Sequence, residues 1–402
     1  MTPTSSLIHF NTAGSGLNSQ AVSEAMFGYL HQELRYGSYE TELTYADILE
    51  RRIYRSVANL LGCKPDDVAL FDSATRAWAT AISSVRFKRD ARVWITRYEY
   101  AGNILALQAL IAQYDLRLEV IPCDSHGDID LDWMAAKLDE TVALVSVVHI
   151  PSNCGIVADV AAIGALLGKQ DTPPLYFIDA CQSVGQLPIN VAHIKCDVLT
   201  GAGRKFLCGP RGTAFAFLSE RFRACAPSQM SDLHVANVRA TNEVVYTTDS
   251  AKRYELLERT NAAFIGLDIA LRQRAVVHEP GQETVYKALC EMLADHPGLN
   301  LVKPGRANAG IVSFQHETEA CLHIVSKLRE MRINAWMITG SHTPIHMGEI
   351  GFGRAVRLSV SHETRLADVG SLDDALSEIL PKPNLTHIGA RLTAMELRDH
   401  LQ

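Results

Sequence analysis

The feature that most constrains this chain is an alternation that runs from about residue 65 to residue 220. Short apolar runs, rich in β-branched residues, lie at 68–71, 92–96, 116–122, 142–150, 175–178, 198–200 and 213–218. The segments 73–84, 103–114, 131–138 and 160–169 fall between them and repeat their apolar residues at helical spacing. Strands separated by helices require crossover connections, so the pattern predicts an α/β fold with a mostly parallel sheet covered by helices. A sheet of that kind offers its ligand site beyond the carboxyl ends of its strands.

Beyond this region the pattern changes. Residues 254–278 read as one long helix that links the first unit to a second. Helices at 281–295 and 319–331 and strands at 310–315 and 355–360 then predict a smaller α+β module. The stretch 381–402 holds two prolines followed by a helical-looking 390–401. With 402 residues, two lobes are expected: a large domain 1–265 whose N-terminal arm contributes to the smaller one, a small domain 266–380 and an extension 381–402.

Charge and composition exclude several classes. A net charge of −7 argues against a nucleic-acid or anionic-membrane surface. No apolar run reaches the ~18–20 residues that span a bilayer, and the polar start lacks a signal core, so a cytoplasmic location is expected. The nine cysteines are scattered without a CxxC or Cys/His cluster. Neither a disulfide framework nor a metal site is expected from them.

Two segments carry chemistry. In the first, four apolar residues deliver Asp179 to the end of a strand, followed by Ala180, Cys181 and Gln182. Alone, that aspartate reads more readily as a capping or surface residue. In the second, a short strand enters a loop in which Gly203, Gly209 and Gly212 bracket Arg204 and Lys205. Glycines allow a backbone to approach a ligand closely, and a lysine there can condense with a carbonyl carbon; alone, the loop reads equally as a solvated basic turn. One strand–loop–strand step separates the two. Together they match what pyridoxal 5'-phosphate (PLP) needs: an amine for its aldehyde and a carboxylate for its ring nitrogen.

The text DACQSVGQLPINV, followed by CDVLTGAGRKFLCGPRGTAF, resembles the cofactor-lysine signature of the class V aminotransferases. That family includes cysteine desulfurases, isopenicillin N epimerase-like proteins and the C–S lyase of ergothioneine synthesis. The resemblance extends over about 8–380. It implies PLP fold type I, with a mainly parallel seven-stranded sheet flanked by helices and a smaller α+β C-terminal domain. It makes Lys205 the Schiff-base lysine, Asp179 the partner of the ring nitrogen and Gln182 the neighbour of the phenolic oxygen. The cofactor phosphate is placed at the strand-to-helix turn with Ala74 and Thr75, where free N–H groups and the helix dipole favour an anion. Tyr100 falls where an aromatic ring, usually histidine, stacks on the cofactor. Ser152 and Asn153 fall in the substrate-facing loop, and Arg357 falls where the substrate carboxylate is bound. Asn261 matches the residue a neighbouring subunit lends to the phosphate, which implies a homodimer with a shared active site. Trp336, His342 and His346 are candidates for the substrate entrance.

The chain also departs from the family. Desulfurases carry a catalytic cysteine before the substrate arginine, whereas 339–347 contains none; persulfide chemistry there lacks its nucleophile. Cys321, the nearest upstream, reads as core. A hydroxyl residue often stands three before the lysine, and here it is Ala202. Arg204 takes the place of a histidine, and its charge offsets the lost hydroxyl. These features resemble the ergothioneine-lyase-like branch. They favour β-elimination on an L-α-amino acid, cysteine or a cysteine S-conjugate, over transamination, decarboxylation-coupled oxidative deamination or epimerisation. A cofactor-free scaffold is the non-enzyme alternative, against which the intact Asp179, Gln182, Lys205 and Arg357 set argues.

Overall fold

The computed structural model describes residues 7–240, 243–276 and 281–381. The expected extension thus lies outside the described residues from 382 onward. Seven strands form the large sheet: Val68–Phe71 (β1), Arg92–Thr96 (β2), Arg117–Ile121 (β3), Val142–Val148 (β4), Leu175–Asp179 (β5), Val198–Ala202 (β6) and Ala214–Leu218 (β7). Their order is β3-β2-β4-β5-β6-β7-β1. All neighbours are parallel except β7, which runs antiparallel to β6 and to β1. The alternation predicts a mostly parallel sheet and the resemblance seven strands, and both are present.

All the strands but the edge strand β3 are buried on both faces, which is why they read as continuous apolar runs. Val68 and Leu70 enter one core, together with Trp94, Val145 and Ile178. Ala69 and Phe71 enter the other, with Trp78, Val93, Ile95 and Phe177. The two-residue period of a strand thus feeds two helical layers. Trp78 and Phe177 meet edge to face at 6.0 Å between ring centroids. Phe177 is fully buried, so truncating it to alanine costs about 3–5 kcal/mol.

A four-stranded antiparallel sheet forms the second module, in the order Leu299–Val302, Ile311–His316, Arg354–Ser359, Trp336–Thr339. The helices Gly281–Asp295, Cys321–Glu330 and Leu366–Ile379 pack on it around one apolar cluster, which includes Cys321 as expected. The amino-terminal segment reaches this module: Ile8–His9 pairs in parallel with Ile333–Asn334.

One expectation fails. Residues 254–278 are not one helix. A 3-10 turn at Ala251–Tyr254 gives way to extended backbone at Glu255, and the helix begins only at Asn261, running to Val276. The reason is the Glu255 side chain. It is buried against the edge of the large sheet, accepting from the Leu70 amide at 2.7 Å and the Tyr54 hydroxyl at 2.8 Å. Burial raises its pKa to about 7, although Arg259 lies 3.6 Å away. A tertiary carboxyl anchor overrides local helix propensity.

Candidate active site

Because β1 shares the direction of β2 to β6, the ends of six strands converge on one edge of the large sheet. The Arg354–Ser359 strand of the small module faces that edge. Between them lies a cavity of about 430 Å³.

Asp179 is the last residue of β5, in register with Val148 of β4 and Thr200 of β6. Its carboxylate is buried, but not unpartnered. Oδ1 accepts from the Cys181 amide at 3.0 Å and Oδ2 from the Asn103 side chain at 3.3 Å. Gln182 follows in the turn, with its amide nitrogen donating to the Ala13 carbonyl oxygen at 3.2 Å.

Lys205 sits in the loop after β6. That loop is held by close backbone approaches: the Gly16 amide donates to the Arg204 carbonyl oxygen at 2.7 Å. At Gly185, with φ of +87°, a Cβ would stand 2.6 Å from the Phe206 carbonyl group. Any side chain there would push the lysine loop away from the sheet. The half-buried Lys205 side chain lines the cavity. Burial lowers its pKa, against the raising influence of Cys181 and Asp179. Such a shift raises the share of neutral, nucleophilic amine.

At the end of β1, Ser73 caps the helix Ala74–Ser84, its hydroxyl accepting from the Arg76 amide at 3.2 Å. Ala74 and Thr75 line the cavity at this N-terminus, and Arg204 and Arg211 lie on the same wall. The arrangement suits a phosphate: free backbone donors, a helix dipole and guanidinium groups. Tyr100, before the helix Ala101–Tyr114, lays its ring against Gly102, where a Cβ would come within 2.6 Å of it.

Arg357 comes from the small module and lies buried in the floor. Nη1 donates to the Ser152 carbonyl oxygen and Nη2 to Asn11 Oδ1, both at 3.1 Å. Desolvation, together with the charge of Arg204, lowers its pKa to about 10, so it stays charged at neutral pH. Trp336, in register with Arg357 on the neighbouring strand, and His342 line the mouth.

All the candidates named from the sequence line this cavity except Asn153, Asn261 and His346. Asn153 is buried and turned aside, its amide nitrogen 2.8 Å from Nδ1 of His346. The expectation that His346 lines the entrance is corrected. His346 packs edge to face on Tyr98 at 4.8 Å, and its backbone amide donates to the Arg97 carbonyl oxygen at 3.1 Å. Burial drives its pKa down to about 4, so it is a neutral joint between the two modules. Asn261 starts the helix Asn261–Val276 beside Arg259, outside the cavity of its own chain. Asn11 and Asn103 were missed as cavity residues. Asn11 stands at a β-to-turn junction (Phe10-Asn11-Thr12-Ala13-Gly14), a signal that could have pointed to it.

The residues present fit PLP. The Gln182 amide oxygen and the Arg357 Nε are buried without a hydrogen-bond partner among the described residues, as polar atoms left for a ligand are. A carboxylate, an amine, an anion cradle and an aromatic ring surround one volume. Fold and site together define a PLP-dependent enzyme of fold type I.

Comparison with known proteins agrees. The aminotransferase class-V family model matches residues 8–372, and the chain belongs to that family. Its cofactor is pyridoxal 5'-phosphate. A probable cysteine desulfurase of Methanothermobacter thermautotrophicus is 24% identical over 335 residues, covering 80% of this chain and 82% of that one. The apo structure of a cysteine desulfurase from Thermococcus onnurineus NA1 superposes with a TM-score of 0.84 at 22% identity, covering 92% of this chain and 94% of that one. A complex of the cystine C–S lyase C-DES with its reaction product, cysteine persulfide, superposes with a TM-score of 0.80 at 20% identity, covering 94% and 99%. Among the described residues, no helix is long and apolar enough to cross a membrane.

Proposed function

We propose that this enzyme is a C–S β-lyase acting on L-cysteine or a cysteine S-conjugate. The net reaction takes the amino acid and one water to a thiol, pyruvate and ammonium. The observation that carries the reading is the wall beside Arg357. It presents Thr343, His342 and Trp336, and residues 339–352 contain no cysteine. The thiol that does line the cavity is Cys181, whose pKa burial pushes well above the ordinary value; it is therefore not the thiolate that sulfur transfer to the protein requires. Relatives named as cysteine desulfurases and a neighbour named as a cystine C–S lyase support a cysteine-type substrate.

In this reading the bound cofactor supplies a sink for the electron pair left at Cα when its proton departs. Lys205 Nζ would hold the cofactor aldehyde at rest and, as a free amine, would take the Cα proton. Asp179 would keep the ring nitrogen charged, the Gln182 side chain would serve the phenolic oxygen, and Tyr100 would stack on the ring. Ala74, Thr75 and Arg204 would hold the phosphate. Arg357 turns the substrate carboxylate, so that the Cα–H bond stands for removal, and the Ser152 carbonyl group fixes Arg357. Trp336 and His342 meet the sulfur substituent.

We further propose a homodimer. Phe27, Leu34, Tyr39 and Leu43 form an outward apolar strip at 62%, 86%, 82% and 76% exposure, more than a lone chain leaves in water. In a dimer, Asn261 is available to the partner's phosphate site.

The test is product analysis with cysteine, cystine and an S-alkyl cysteine. Pyruvate and thiol released in equal amounts, with no alanine, are expected. Alanine together with a protein-bound persulfide would overturn the reading in favour of desulfuration. A requirement for a keto acid would indicate transamination, and release of CO2 would indicate decarboxylation.

A further inference from the structure

We infer that Glu99 is a positioning residue for the cofactor's ring nitrogen: through Asn103 it reinforces the negative charge of Asp179 and so holds that nitrogen protonated. The inference rests on Asp179 being the ring-nitrogen partner.

The geometry is a carboxyl–amide–carboxyl bridge. Glu99 follows β2, and its side chain is fully buried. Asn103 Nδ2 donates to Glu99 Oε1 at 2.8 Å and to Asp179 Oδ2 at 3.3 Å, so one amide nitrogen ties the two carboxyl groups together. The remaining positions of Glu99 are filled by the Tyr100 amide at 3.1 Å and the Ser146 hydroxyl, which reaches Oε2 at 2.9 Å. Three donors fix a carboxyl group that has no cationic partner among the described residues. Asp179, on β5, is the charged group facing it. Ser146 on β4 and Asn103 on the helix Ala101–Tyr114 are neutral, and the Tyr100 ring belongs to its own segment.

A buried carboxyl group without a cation is costly to keep for stability alone. Its site explains it. Desolvation, with the nearby Asp179 charge, raises the Glu99 pKa to about 7, and the donors from Asn103, Ser146 and Tyr100 oppose the rise. When a pyridinium pairs with Asp179, positive charge enters the same low-dielectric pocket and favours the Glu99 carboxylate. By reciprocity, the carboxylate favours the pyridinium. Asn103 keeps the two oxygens from repelling each other and aims Asp179 Oδ2.

The test uses holoenzyme reconstituted with PLP labelled with nitrogen-15 in the ring, read by NMR as a function of pH, with the melting temperature followed alongside. In Glu99→Gln, which preserves a side chain able to accept from Asn103, the protonation midpoint of the ring nitrogen is expected to fall by about one pH unit, a ~10-fold loss of proton affinity. Glu99→Asp should recover part of the shift. Asn103→Leu is the second variant, in case Glu99→Gln does not fold. It should lower the midpoint in the same direction, and the double variant should move it no further than the larger single change, because the two act as one unit. A midpoint unchanged in folded Glu99→Gln, or additive shifts in the double variant, would overturn the inference. Asp179→Asn separates the underlying reading. If it leaves the ring-nitrogen signal unchanged, the Asp179 pairing itself is wrong. If it abolishes the charged form while Glu99→Gln does nothing, only the role of Glu99 fails.

Discussion

Removing the Arg357 guanidinium tests whether the small module supplies the substrate's anchor. Two of its donors are committed, to the Ser152 carbonyl oxygen and to Asn11, while Nε is buried with no partner. That leaves donors on one edge for a carboxylate. A hydrogen bond to a charged group contributes about 1.5–3 kcal/mol, and a bidentate pair exceeds a single bond. Arg357→Leu should therefore cost about 3–4 kcal/mol in transition-state stabilisation, a loss of roughly 200- to 1,000-fold in kcat/KM. Most of it should appear in KM, because the carboxylate contact is made in ground and transition states alike. Steady-state kinetics with a cysteine S-conjugate, compared with the corresponding amine lacking the carboxylate, provides the assay. The wild type should prefer the amino acid strongly, and the variant should lose that preference while still binding PLP. A change under about 5-fold, or an undiminished preference for the carboxylate, would refute the anchoring role.

Further outcomes follow from the same structure. His149, His346 and His362 are each driven to a pKa of about 4 by burial, whereas Glu99 and Glu255 are raised to about 7. Between about pH 4.5 and 6.5, unfolding takes up three histidine protons and releases two from the glutamates, a net uptake of one. Stability should then fall by about 1.4 kcal/mol per pH unit as pH drops through that window and flatten near neutrality; denaturant titrations that gain stability on acidification would contradict this. His346→Leu should leave PLP binding intact while raising KM several-fold, because the Asn153 joint that steadies the Ser152 loop is lost; unchanged kinetics would deny the joint a role. Leu34→Glu should convert a dimer to monomer in sedimentation velocity and weaken PLP retention, whereas a wild-type monomer would remove the shared-site reading.

The large sheet was legible because every strand but the edge strand Arg117–Ile121 is buried on both faces and appears as an apolar run such as Val142–Val148. The helix Gln20–Tyr36 was not read, because its outward face carries Phe27, Leu30 and Leu34. That blurs the stripe on which helical periodicity depends. The break before Asn261 was invisible for a different reason: Glu255 looks like an ordinary helical glutamate until the Leu70 amide and Tyr54 are brought to it. In the site, Asp179 and Lys205 were legible from motif text. The bridging roles of Asn103 and Asn11 were not, since each depends on a partner 76 and 346 residues away. His346 was misplaced because a histidine in a polar loop looks exposed, whereas the Tyr98 ring and Asn153 receive it between the modules.

The amine of Lys205 is expected to bond to the cofactor aldehyde. Borohydride reduction of the holoenzyme makes that bond permanent, and peptide mass spectrometry then locates the pyridoxyl group. It should lie on the peptide containing Gly203 to Arg211, at Lys205. A label on any other lysine, or a holoenzyme that takes no label, would rule out Lys205 as the cofactor-bearing residue.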